Sequence, residues 1–511
     1  MLDISTSWAI EPGLIPLTGP WAFVKISRPP SFSTATMSLK RSQTVQWPPA
    51  PSPDETEEER RVRVAAESEA KRVSDMIDRQ LEVDRQRRKE RRGPKILLLG
   101  QAESGKSTTL KNFQLHFAPK SFEKEAEIWR PVIHLNLVRS INFIVNLILS
   151  QKHDHRDAGP YPRRRSSVGP LTSELRRLCV RLGPLRQVEE TLINILSGRS
   201  PGRPFNETEM ARQAYNPAKA TDIALRSGSG WRQGLSFGRK SGETSSGSST
   251  SNRSDNLYMG EDGQSRRILS ALGDDITALW KDPSVQKILK AAEIGLHEQP
   301  GFFLDQASRI TKEDYRPRPE DVLKARVTTL GPEEHTIVAE TGPQKANIWT
   351  IYDVGGSQSQ RAAWAQYFDD VHAVIFLAPM SGFNQVLAED ESVNRLTDSI
   401  RLWQMICSNK ILAGVEFILF LNKLDILDQK LKSGIQFSSF VTSYTKQPNE
   451  TKPVAKYLME AFVSLHQQHS PKRRRIHPHL TCAVDTKATS TVITRIQEVI
   501  LIKALESNNV L

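Results

Sequence analysis

The sequence predicts an α/β fold in which a doubly wound, six-stranded sheet is interrupted by an inserted all-helical domain, and three observations predict it. The apolar run Ile96 to Leu99 leads into Gly100-Gln101-Ala102-Glu103-Ser104-Gly105-Lys106-Ser107, a strand followed by the pattern G-x-x-x-x-G-K-[ST]. Strand-and-helix alternation resumes after Phe302-Phe303-Leu304. Between the two, residues 121–150, 171–197 and 265–293 place apolar side chains at helical spacing with almost no β-branched alternation.

The elements follow in order. A chain of 511 residues has room for two or three domains, and 38% hydrophobic content implies that part of it joins no core. Residues 1–53 are rich in Pro, Ser and Thr without periodicity and are expected to form a disordered extension, with Met37 as an alternative start. Residues 54–92 switch to charged helix formers with a thin apolar stripe at Val73, Met76, Ile77, Leu81 and Val83. One long exposed helix is expected there, with the stripe laid on a partner. Residues 93–120 open the α/β part, and residues 121–304 form the helical insertion, with a Gly- and Ser-rich disordered loop at 227–265. Residues 305–511 complete the α/β part. Strands are expected at Lys95 to Leu99, Thr336 to Glu340, Ile348 to Tyr352, Ala373 to Leu377, Glu416 to Leu421 and His479 to Cys482. Helices fill the gaps at Gln358 to Phe368, Val393 to Ser408, Val454 to His466 and Thr489 to Leu505.

Bulk properties narrow the function classes. The formal charge of +12 comes from clusters such as Arg85 to Arg92 and Lys472 to Arg475, with no stacking aromatics between them, so nucleic acid is not an expected partner. Cys179, Cys407 and Cys482 are too scattered for a disulfide framework or a zinc site, which points to a reducing compartment. Pro12, Gly13, Pro16, Gly19 and Pro20 break the first apolar runs, so no signal peptide or membrane span is expected. The run Ile141 to Leu149 is short and carries Asn142 and Asn146, which reads as a buried helix.

Each chemical motif falls at the carboxyl end of an expected strand, where ligands of such sheets sit. Glycines at both ends of residues 100–107 let successive N–H groups face a triphosphate; Lys106 would hold its β and γ phosphates and Ser107 would ligate Mg²⁺. Asp353-Val354-Gly355-Gly356 offers a carboxylate for Mg²⁺ and the Gly356 N–H for a γ phosphate. Asn422-Lys423-Leu424-Asp425 follows a strand, and the Asp425 carboxylate would accept from the N1–H and amine of guanine while repelling adenine. Thr481-Cys482-Ala483 would add a backbone N–H for the guanine O6.

With these motifs in this order, the chain over residues 54–511 resembles the α subunit of heterotrimeric G proteins, fungal members in particular. The resemblance rests on Leu98 to Thr108, on Asp321-Val322-Leu323-Lys324-Ala325-Arg326-Val327-Thr328-Thr329, on the two motifs at 353–356 and 422–425, and on Thr481 to Thr486. It implies a Ras-like GTPase that binds GTP, GDP and Mg²⁺ and cycles between nucleotide states below a G protein-coupled receptor. It also implies nucleotide contacts from Glu103, Ser104, Gly105, Thr108, Leu323, Lys324, Lys423, Cys482 and Ala483. Arg326 would be a built-in arginine finger, paired with Glu103 when withdrawn, and Thr329 would join Ser107 and Asp353 around Mg²⁺. The helix 54–92 would bind a βγ dimer, the last helix would meet the receptor, and an effector would read the switch segments. Trp364 would sit in the second switch.

The chain departs from that family at several points. Ser357 stands where the family has a water-orienting glutamine, and a hydroxyl lacks the donor, acceptor and reach of the amide, so slow hydrolysis is expected. Gln358 comes one residue too late. Leu330 replaces a usual threonine, and Leu2 stands where myristoylation needs glycine, so peripheral residence at the inner face of the plasma membrane would need protein partners. Two readings stay open, a nucleotide-dependent switch and a nucleotide-binding scaffold that barely turns over. An ATPase would require ignoring Asp425.

Overall fold

The computed structural model describes residues 56–90, 93–150, 172–197, 251–292, 294–326, 332–340, 345–445, 447–471 and 474–507. The amino-terminal unit is one helix, α1 (Glu57–Glu90), within the expected 54–92, of which 54, 55, 91 and 92 lie outside the described residues. Its composition of strong helix formers sustains it without a buried face. Val62, Val64, Met76 and Ile77 are more than half exposed.

The second unit contains the sheet. Its strands are β1 (Lys95–Gly100), β2 (Glu333–Val338), β3 (Ile348–Asp353), β4 (Ala373–Pro379), β5 (Glu416–Asn422) and β6 (Ile476–Leu480), ordered β2-β3-β1-β4-β5-β6. All pairs are parallel except β2 with β3. The inner strands are continuous apolar runs because both faces are covered. Leu97, Leu99, Val374 and Phe376 pack on one side with Trp403 and Phe462, while Ile96, Leu98, Ile375 and Ile418 pack on the other with Phe113 and Ile496. The doubly wound expectation therefore holds, with one antiparallel edge.

Two strands shift by three residues. β2 starts at Glu333 because its outward positions are polar and only Ile337 is buried, as suits an edge strand. β6 starts at Ile476 and carries Pro478, which the sheet accommodates only at its edge. The segment Gln358–Tyr367 is a 3-10 rather than the expected α-helix, and the Ser357 side chain does not cap it. A further helix, Leu424–Lys432, follows Lys423, whose φ is 64°.

The insertion has a core of its own, built on the helix Arg130–Ser150 with Leu175, Leu185, Leu192, Leu269, Ile276 and Ile288. The helical run Pro119–Ser150 is long and apolar enough to cross a membrane, but most of its apolar stretch is buried in this core. Ile310, Tyr315, Val322 and Ala325 belong to the same core, so the boundary expected at 304 falls inside it. Within the loop expected at 227–265, residues 227–250 lie outside the described residues, whereas 251–265 begin the helix Ser251–Ala271. Tertiary contacts override its composition: Asp262 pairs with Arg130 at 3.3 Å, and Ser265 is buried.

Candidate functional site

The ends of β1, β3 and β5 meet the insertion around one cavity of about 1040 Å³. Its phosphate loop needs glycine for geometric reasons. Gly100 and Gly105 have φ of 143° and 104°, and a Cβ on Gly105 would stand 2.3 Å from Asn422 Nδ2. Asn422 is a tie between loops. Its Nδ2 donates to the Ser104 carbonyl at 2.8 Å, and its Oδ1 accepts from the Ala483 N–H at 3.1 Å and the Thr481 hydroxyl at 3.2 Å.

Lys106 opens the helix α2 (Lys106–Phe117), and its Nζ donates to the Gly100 and Gln101 carbonyls at 2.9 and 2.7 Å. Burial pushes its pKa down to about 8, against the pull of the Asp353 carboxylate. Burial likewise raises Asp353, with Lys106 and Ser107 pulling it back. The Ser107 hydroxyl donates to Asp353 Oδ2 at 2.7 Å. A hydroxyl and a carboxylate joined at the ends of α2 and β3 fit Mg²⁺, a hard cation that keeps several ligands as water and phosphate. Among the described residues no group of three or more His, Cys, Asp and Glu could hold a metal.

The arm that carries Arg326 is fixed both by near neighbours and by Lys111, 211 residues from Val322. Asp321 accepts from both Arg309 Nη atoms at 2.8 and 2.6 Å and from Tyr315 at 2.9 Å, holding the helix Pro319–Lys324. Lys111 Nζ donates to the Val322 and Ala325 carbonyls at 2.8 and 2.9 Å. This delivers Arg326 to Glu103 at 2.7 Å, in the withdrawn pairing the resemblance implied. Arg395 reaches the other carboxylate oxygen at 3.1 Å. Burial alone would raise the Glu103 carboxyl, but Arg326, Arg395 and Lys423 together hold it at about 2.

On the facing wall, a Cβ on Gly356 would meet backbone atoms of Gln101 and Ala102 at 2.3–2.5 Å, so this glycine lies directly on the phosphate loop. The Ser357 hydroxyl donates to Gln360 Oε1 at 2.7 Å. Arg361 clasps Asp398 at 2.9 and 2.7 Å and donates to the Gly356 carbonyl at 3.3 Å. At the base end Asp425 is exposed to the cavity, while burial pushes Lys423 down to about 8. Glu298 of the insertion closes the roof onto Lys430 and Gln385, both at 2.9 Å.

All but three of the sequence-expected site residues line this cavity. Thr329 lies outside the described residues. Ser104 is sealed beneath the loop, contributing its carbonyl to Asn422. Cys482 points its thiol at Asp425, and burial followed by that carboxylate pushes it up to about 12. Of the segment Thr481-Cys482-Ala483, expected to offer a backbone N–H to the guanine O6, the Ala483 N–H donates to Asn422 here. Sequence reasoning missed Lys111, Gln360, Arg395 and Asp398. Lys111 had a signal, one turn after Ser107 on the same helix; Arg395 had none, standing 292 residues from Glu103.

Comparison with known proteins agrees with this geometry. A family profile described as "G-protein alpha subunit" matches residues 71–500. The chain is 30% identical to a guanine nucleotide-binding protein alpha-4 subunit of Mycosarcoma maydis, over 80% of this chain and 82% of that one. It is 27% identical to a guanine nucleotide-binding protein subunit alpha of Candida albicans, over 86% and 95% of the two chains. It is 28% identical to a guanine nucleotide-binding protein alpha-3 subunit of Neurospora crassa, over 87% and 97%. Profile, relatives and cavity converge, and the chain belongs to the G-protein alpha subunit family.

Proposed function

We propose that this alpha subunit binds GTP and GDP with Mg²⁺, hydrolyses GTP slowly, and signals by the difference between its two nucleotide states. As a family member it is a guanine nucleotide-binding signal transducer and a GTPase. The slow rate is our reading, and one observation carries it: Ser357 takes the place of the water-orienting amide while Arg326 is retained. Phosphoryl transfer rests on positioning and charge stabilisation.

The residues divide that work. Lys106 exchanges two loop carbonyls for the β and γ phosphates, and Asp425 accepts from the guanine edge. Arg326 leaves Glu103 to neutralise charge growing on the γ phosphate. Bound Mg²⁺, held by Ser107 and Asp353 with Thr329 in the family pattern, would draw charge from the β and γ oxygens. We place the protein in the cytoplasm at the inner face of the plasma membrane, with a βγ dimer on α1, a receptor at the last helix and an effector at the switch segments. Exposed Val62, Met76 and Ile77 support the first of these.

The rival reading, a scaffold with almost no turnover, is favoured by the same Ser357. Single-turnover hydrolysis by protein preloaded with GTP separates them. A slow but measurable rate that rises about tenfold or more in Ser357→Gln supports our reading. An unchanged rate in that variant contradicts it.

A further inference from the structure

Three residues beyond Ser357 stands a carboxamide that the sequence pattern does not announce. The first turn of the 3-10 segment folds Gln360 back toward the cavity, with its N–H donating to the Ser357 carbonyl at 3.0 Å. Its side chain then lies against Gly355, where a Cβ would meet Oε1 at 2.0 Å and Nε2 at 3.0 Å. Only the missing side chain at 355 leaves room for it. Ser357 and Gln360 both line the cavity, whereas Gln358 is exposed and does not.

We propose that Ser357 and Gln360 act as one water-positioning unit, Gln360 supplying the carboxamide that position 357 lacks. The inference rests on the reading of slow hydrolysis through Ser357 and deepens it. Orienting a water for attack takes one acceptor for its proton and one donor toward the phosphate oxygens. Because the Ser357 hydroxyl hydrogen is committed to Gln360 Oε1, the Ser357 oxygen turns its lone pairs outward as the acceptor. The Gln360 Nε2 hydrogens are the donor. In the reaction a water oxygen–phosphorus bond forms and the bond from phosphorus to the β–γ bridging oxygen breaks. The water's proton leaves with inorganic phosphate, and GDP carries the electron pair of the broken bond. Ser357 and Gln360 thus share the positioning between them, one as acceptor and one as donor, and two side chains are looser than one, which accounts for slow turnover rather than none.

Single-turnover GTP hydrolysis by the full chain, paired with the affinity for a non-hydrolysable GTP analogue, tests this. Gln360→Ala is expected to slow hydrolysis by about tenfold while analogue affinity stays within about twofold. Gln358→Ala should leave both unchanged. A Ser357→Gln, Gln360→Ala double variant should hydrolyse GTP as fast as Ser357→Gln alone, because the amide is then supplied directly. Three results overturn the inference: an unchanged rate in Gln360→Ala, an equal loss in the double variant, or a matching loss of analogue affinity. Failure of Ser357→Gln to accelerate the parent would instead sink only the reading of Ser357 as the deficit.

Discussion

Around Lys106 the loops are tied to one another mostly through backbone groups, whereas the Ser357 hydroxyl is held by other side chains. Asn422 bonds both Ser104 and the segment 481–483, and Lys106 rests on two carbonyls of its own loop. The Ser357 hydroxyl meets Gln360 at 2.7 Å and Ser359 at 3.4 Å, and its segment is pinned further on by Arg361 and by the Trp364 indole on the Gly355 carbonyl. Grip is built into the path of the chain, where a substitution disturbs several segments at once. On the reading proposed above, turnover depends on a few exchangeable side chains, so the usual glutamine can be lost while the nucleotide site is kept. Binding and hydrolysis should therefore separate under mutation.

Arg326→Ala is the hardest test of that separation. It should lower the single-turnover rate by about a thousandfold while analogue affinity stays near the parent value, and a comparable loss of affinity would break the comparison. Lys106→Ala should do the converse, weakening GTP and GDP binding by about a hundredfold in equilibrium titration.

A pH series sharpens the grip side. Burial brings the Lys106 ammonium of the free protein down to about 8, whereas bound phosphate favours its charged form. Above that pH, binding takes up a proton, so GTP affinity should fall by up to about tenfold per pH unit, and below it should be flat. Lys423 also titrates at about 8, so the slope should vanish in Lys106→Ala if Lys106 is its source. The smallest effect is optical. Trp364 is 1% exposed and bonded to Gly355, and its emission should shift when a GTP analogue replaces GDP; an unchanged spectrum would mean that the second switch does not respond.

What was legible in the sequence follows the same division. The phosphate loop, Asp353 and Asn422 to Asp425 could be read because each is a contiguous run at a strand end, and the inner strands because they are buried on both faces. The edges were misplaced by three residues, since β2 is mostly polar and β6 contains Pro478 and two histidines. Arg395, Asp398 and Gln360 act across the fold or across a turn, and nothing in their own neighbourhoods marks them. The Ser251–Ala271 helix was hidden by composition, because contacts that secure it are distant in sequence, among them Asp262 with Arg130, 132 residues away, and Leu269 in the core of the insertion.

The central claim is that one exposed carboxylate, Asp425, selects the base while Lys106 and its loop hold the phosphates. Competition of ATP and GTP for the same purified protein in Mg²⁺ tests it most directly. GTP should win by about a thousandfold or more, and Asp425→Ala should erase most of that margin. Equal affinity of the parent protein for the two nucleotides would contradict the account.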